Sequence, residues 1–411
     1  MPILTILKFI LSGITPVINN GGLVLAVILM SRGLNLTTEQ LGQANYILLI
    51  TAFVCGLGGF GMSEAFYKYA TTQSQAIFPA IKRNFTITAI VLITLLATNL
   101  KFNWLNLNST LEYTLFVALF FSWTYNLACA FFLGLGQKVK YSLYQISQPI
   151  LLLSSLWLLR NLMLISIPTL LLTCLLISYT LPLIVMLIDL WSQKKLDLKT
   201  KNIPVQITQF ANANIILLLS MMALMQTDGL FIVNLSSDGF VQNGIYKSIS
   251  QIGKLAMAMG VFASIPLAPL FATWFENNNK TKLKKAYILS NLAILSISAV
   301  LVFMTSVFHN QIISLLFTNP QIRANSYLLT YLMAFYCLSG SHYIVHYFWS
   351  MAGKISIVWK ATLCQATIYG LGMLIIVPLG IEAIATWLLT LQIIATIAWH
   401  YYFWITFDTR E

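Results

Sequence analysis

Residues 242–272 read QNGIYKSISQIGKLAMAMGVFASIPLAPLFA. The run is apolar enough and long enough to cross a bilayer, yet it carries two lysines, Lys247 and Lys254. Seven residues apart on a helix, they share a face and differ by roughly 10 Å in depth. A cation in hydrocarbon costs at least ~2.5 kcal/mol, so each lysine must face a polar cavity or a partner. Such a pair points to a protein that handles something anionic or polar within the membrane.

The rest of the chain agrees with a membrane setting. Of 411 residues, 58% are hydrophobic and 8% charged, a balance that excludes an ordinary soluble domain. The five cysteines, Cys55, Cys129, Cys174, Cys337 and Cys364, are scattered singly and form no metal-ligand spacing. They read as small core residues. The N-terminus has Lys8 and then apolar sequence without a small-residue cleavage site, which reads as a retained first helix.

A span takes about 20 mostly apolar residues. That criterion gives about twelve, at 9–30, 42–66, 84–100, 112–134, 141–159, 162–188, 207–234, 242–272, 286–307, 325–350, 356–378 and 381–405. Pro149, Pro168 and Pro182 fall inside spans and predict kinks. With both termini cytoplasmic, 17 of the 23 Lys and Arg residues fall in inside loops and four outside, the other two being Lys247 and Lys254. This asymmetry follows the positive-inside rule. It accounts for the net charge of +12 without a nucleic-acid partner.

A short basic linker, 191–206, divides the chain into an N-terminal bundle of six helices (1–190) and a C-terminal bundle of six (207–411). The halves resemble each other weakly. LGLGQKVKY (133–141) and SMAGKISIVWK (350–360) end the fourth spans of the two halves, with Lys138 and Lys354 in corresponding places. LGQANY (41–46) and NGIY (243–246) open the second spans, bringing Tyr46 and Tyr246 to similar positions. The expected fold is therefore an all-α polytopic membrane protein, about twelve transmembrane helices in two six-helix bundles related by a parallel pseudo-two-fold repeat.

The segment LNLTTEQLGQANYILLITAFVCGLGGFGMSEAFYKYA (34–70) resembles the first hairpin of Wzx-type polysaccharide flippases, in the multidrug/oligosaccharidyl-lipid/polysaccharide (MOP) exporter superfamily. QTDGLFIVNL (226–235) followed by the 243–271 run resembles that family's seventh and eighth helices, and LGLGQKVKY its fourth-helix exit. The lipid II flippases of the superfamily have two further spans, for which this chain is short. The resemblance implies a flippase moving an undecaprenyl-diphosphate-linked O-antigen repeat unit across a bacterial inner membrane. It also implies alternating access of two bundles, a cationic central cavity and coupling to an ion gradient, proton or sodium. Membrane lipids, an O-antigen polymerase and a chain-length regulator would be its partners.

The residues themselves offer candidate roles, each beside a plainer one. Lys254 and Lys247 are expected to bind substrate, unless an ion pair with Asp228 in the seventh span accounts for one of them. Asp228 is a candidate for carrying a coupling ion. Glu64 is either a gate or an i,i+4 partner of Lys68. His342 and His346, one turn apart, suit a proton relay or polar packing; no third ligand is spaced to make a metal site. Asn19 and Asn20 in the first span, with Asn212 and Asn214 in the seventh, are candidates for bonding sugar hydroxyls, or for bonds between helices. Arg160 reads as an interfacial anchor.

No enzyme signature and no cofactor motif is present: there is no GxSxG run and no P-loop. Two rivals to the flippase remain, a multidrug or metabolite exporter of the same superfamily and a polytopic O-antigen polymerase. The large arginine-rich outside loop of such polymerases is missing here.

Overall fold

The computed structural model describes residues 15, 18, 21–57, 77–102, 109–135, 137–159, 166–192 and 205–408. Every regular element among them is helical, as a chain in lipid requires when each backbone N–H and C=O must find its partner within the protein. The helices are α1 (Gly21–Gly33), α2 (Thr38–Leu57), α3 (Ile77–Phe102), α4 (Ser109–Gly134), α5 (Lys138–Leu159) and α6 (Ile167–Ser192). They continue with α7 (Val205–Gln226), α8 (Asp228–Leu235), α9 (Gly239–Glu276), α10 (Lys280–Leu316) and α11 (Pro320–Ala324). The last are α12 (Leu328–Met351), α13 (Ile355–Ile376) and α14 (Ile381–Asp408). Eight of the described helices are long and apolar enough to cross a membrane by length and composition, and the chain is an all-α multi-pass membrane protein. Large apolar side chains such as Leu292, Val300, Phe303, Leu371 and Ile397 are exposed along these helices, as lipid-facing surface is.

Local signals place the helix ends. Asn319 caps α11 by accepting from the backbone of Gln321 (2.9 Å), with Pro320 in the first turn where its missing N–H is harmless. Asn279 caps α10 through Lys282 N (3.1 Å). Gly353 ends α12 at φ +76°, and Lys354 N then bonds back to Trp349 O (2.9 Å).

Two expectations are corrected. Pro168 is not a mid-span kink: it is the second residue of α6, where proline fits without loss of a hydrogen bond. Pro149 and Pro182 do lie inside helices, α5 and α6. The seventh span, expected to run unbroken over 207–234, is interrupted at Thr227, which separates α7 from α8. The Thr227 hydroxyl bonds to Ala223 O (2.5 Å) and the Asp228 carboxylate accepts from Gly229 N (3.0 Å), local bonds that compete with a continuous helical ladder. Most of the expected 191–206 linker lies outside the described residues, as do Asn19, Asn20, Glu64 and Arg160.

The chain forms two compact units, Met1–Thr15 with Ile47–Met222, and Pro16–Tyr46 with Ala223–Glu411. In the first, α4, α5 and α6 pack around Tyr125, Cys129, Phe131, Phe132, Met186 and Leu190. Lys140 reaches both oxygens of Asp189 at 2.8 Å, and the Tyr144 hydroxyl donates to the same carboxylate at 2.9 Å.

In the second unit, glycine sets how closely helices approach. A Cβ at Gly42 of α2 would overlap the Phe240 carbonyl, and one at Gly244 of α9 would overlap the Thr38 carbonyl. The contact is reciprocal. LGQANY and NGIY, read from sequence as corresponding motifs, therefore lie against each other. Asn243 donates to Gly42 O (2.9 Å) and Asn45 to Ser248 (3.4 Å), closing the crossing with buried amides. Farther along α9, Gly260 abuts the Gly340 backbone of α12, so that van der Waals contact between backbones binds these helices without help from water.

Gly244→Val should lower the Tm of the purified protein in detergent, because overpacking of this kind costs about 1–3 kcal/mol. Gly21→Ala, with nothing within 4 Å of the added carbon, should leave Tm unchanged. Scanning fluorimetry reads both; a Gly244→Val protein that melts with its parent would contradict the backbone contact.

Candidate functional site

The interruption after α7 opens the site. Gln226 ends one helix, Asp228 begins the next, and α9 runs past both with Lys247 and Lys254. Asp228 is 2% exposed, Lys247 1% and Lys254 5%. Asp228 and Lys247 form a buried ion pair through Oδ1 and Nζ. Lys254 instead donates to the side-chain oxygen of Gln226 at 3.1 Å. Two ammonium groups and one carboxylate thus share this interior, and the carboxylate is committed to the first lysine.

Three fully buried tyrosines complete the surroundings, each from a different helix: Tyr246 of α9, Tyr336 of α12 and Tyr369 of α13. All three phenol groups lie in the neighbourhood of Asp228. The Tyr336 hydroxyl bonds to Ser250. The hydroxyls of Tyr246 and Tyr369 lie beside Asp228 and Thr227 respectively. Gly253 makes room for this cluster: a Cβ there would stand 2.8 Å from the Tyr336 ring and 3.2 Å from Leu332 O. Sequence reasoning found the charged members, because charge is rare in an apolar run. It missed the tyrosines, which are three among 18.

The remaining candidates lie elsewhere. His342 Nε2 meets Thr396 Oγ1 at 3.0 Å and His346 Nε2 meets Thr362 Oγ1 at 3.5 Å, with the two rings 5.9 Å apart. They belong to a polar interior of α12, α13 and α14 that also holds the Gln365–Gln392 bond (2.9 Å). No group of three or more His, Cys, Asp or Glu among the described residues is arranged to hold a metal. Asn212 and Asn214 sit on α7 in the other compact unit, the first exposed and the second buried.

A buried pair of this kind is costly to break, because removing one partner strands the other charge, typically at about 3–5 kcal/mol. Lys247→Met should therefore lower Tm sharply, and adding Asp228→Asn should recover much of the loss. A double variant no more stable than Lys247→Met would mean that the two side chains are not coupled.

No family model matches the chain, and no curated protein does. Solved structures do. An inward-facing multidrug resistance MATE family transporter of the MOP superfamily superposes with a TM-score of 0.75 at 15% identity, over 97% of this chain and 95% of that one. An outward-facing MATE family transporter gives 0.73 at 14% identity, over 98% and 96%. A MOP superfamily transporter from Pyrococcus furiosus, described as having a binding pocket of reversed polarity that suggests a different function, gives 0.73 at 14%, over 98% and 95%.

These findings correct the flippase reading. The structural relatives are MATE-type transporters and not Wzx-type flippases. The undecaprenyl-diphosphate-linked O-antigen substrate, with its polymerase and chain-length regulator, falls with that reading. The physical reason is that degenerate apolar helices of similar length and spacing serve the whole superfamily, so motif likeness within it cannot choose a branch. The chain has the fold of the MATE-type transporters of the MOP superfamily to which it is similar.

Proposed function

We propose that the chain is a MATE-type secondary exporter, moving small molecules out across the cytoplasmic membrane by alternating access. The likeness to both inward-facing and outward-facing transporters over nearly the whole length of each chain is the observation that carries this reading. About twelve spans, in bundles over 1–190 and 207–411 with both termini cytoplasmic, fit the 17-to-4 bias of basic residues.

Export of this kind draws on a proton or sodium gradient. Asp228, held by Lys247, is proposed as the group that couples to it. Two features support that role: the carboxylate is buried, and it stands where α7 gives way to α8. Broken helices within the membrane place backbone and side-chain polar groups where ions and substrates are held.

The test is dye export by proteoliposomes containing the purified protein. Ethidium, dansylcadaverine and dansylglycine are supplied in turn under an imposed proton or sodium gradient. At least one dye should move, and collapse of the gradient should stop it. Failure of all three in vesicles with correctly inserted protein would overturn the exporter reading.

A further inference from the structure

The charge count at the break between α7 and α8 is uneven. Among the described residues there are two ion pairs, Lys140–Asp189 and Lys247–Asp228. Lys254 belongs to neither. It is 5% exposed, its hydrogen bond goes to the neutral amide of Gln226, and no described carboxylate lies within 4 Å of it. An ammonium has three donors. One neutral acceptor at 3.1 Å answers little of the charge.

Lys247 cannot play the same part. Its ammonium already holds the Asp228 carboxylate, so together they are neutral toward a third group. Among the described residues, this interior holds one more basic side chain than acidic ones. The buried hydroxyls of Tyr246 and Tyr369, held by different helices, stand beside Asp228 and the neighbouring Thr227. A phenol hydroxyl and an ammonium are both good donors to a carboxylate, sulfonate or phosphate oxygen. A cationic guest of equal size would meet the opposite: an unmatched ammonium, and a carboxylate that is already taken. Repulsion of that kind discriminates as strongly as attraction does.

We infer that Lys254, assisted by the hydroxyls of Tyr246 and Tyr369, receives the negative group of a soluble organic anion, so that this exporter selects anions over cations. The inference rests on the exporter reading above. The anion displaces the Gln226 amide from Lys254 and leaves the Asp228–Lys247 pair in place. One guest charge neutralises the site, which favours monoanions.

Dansylglycine and dansylcadaverine share a fluorophore and differ in the sign of their charge, which makes them the test pair. Wild-type proteoliposomes should export dansylglycine about tenfold faster than dansylcadaverine or more, the scale of one charge-assisted hydrogen bond. Lys254→Gln should lose that preference, and Lys254→Arg should keep it. Gel filtration establishes that each variant is folded. Export of dansylcadaverine or ethidium without dansylglycine overturns the inference and leaves the exporter reading standing. Wild-type dansylglycine export by folded Lys254→Gln also overturns it. Export of no dye overturns the exporter reading itself. A final arm compares vesicles of phosphatidylcholine alone with vesicles containing phosphatidylglycerol. Equal dansylglycine export in both supports a soluble anion. Inhibition by phosphatidylglycerol that Lys254→Gln relieves assigns the site to a lipid head group, against the inference.

Discussion

A carboxylate taken out of water and away from head groups has to be matched, and the pairing of Asp228 with Lys247 is the interaction around which the C-terminal unit is arranged. The attraction between two ions in a low-dielectric interior only just offsets the cost of removing both from water. The pair is therefore a positional constraint more than a source of stability. It fixes α8 against α9 at one depth. It also determines what is left over: with the acid taken, the second lysine, seven residues on along α9, has only an amide to lean on among the described residues.

Close helix approach makes this arrangement accessible to a chain in lipid. Lipid tails are as apolar as leucine, so burial of apolar surface drives helices together weakly. Contact area between backbones and shared hydrogen bonds have to serve instead. Gly42 and Gly244 provide one such contact, and Gly260 with Gly340 another. Gly253 lies between them on α9, next to Lys254, and its lack of a side chain brings the Tyr336 ring against the helix. The same small residues that let helices meet therefore shape the polar cluster.

Legibility from sequence tracked how rare a signal was. Charge within apolar runs is rare, and Lys247, Lys254 and Asp228 stood out for that reason. Helix counting works because spans are long, yet the break at Thr227 passed unseen: Gln-Thr-Asp-Gly weakens a helix without the plain stop of a proline. Pro168 was misplaced by the reverse error, since a proline at a helix start and one inside a span look alike when the boundary is unknown. Tyr246, Tyr336 and Tyr369 come from three helices far apart in the chain, and nothing in local sequence joins them. The choice between branches of one superfamily lay beyond motif reading, because lipid asks the same apolar composition of every member. Whole-chain geometry is what matches the MATE-type transporter fold.

The two longest helices carry one more consequence. At 38 and 37 residues, α9 and α10 are each about 55 Å long, against a hydrocarbon core of about 30 Å. Their surplus length meets at the Asn277–Asn279 turn, just before Lys280, Lys282, Lys284 and Lys285. Lys280, Lys282 and Lys285 are exposed there, while Lys284 covers the face of Trp404 at 5.1 Å. Each lysine close to an anionic leaflet gains about 1 kcal/mol. The surface potential of a host membrane thus bears on the start of α10, across the Asn277–Asn279 turn from the end of the helix that carries Lys254.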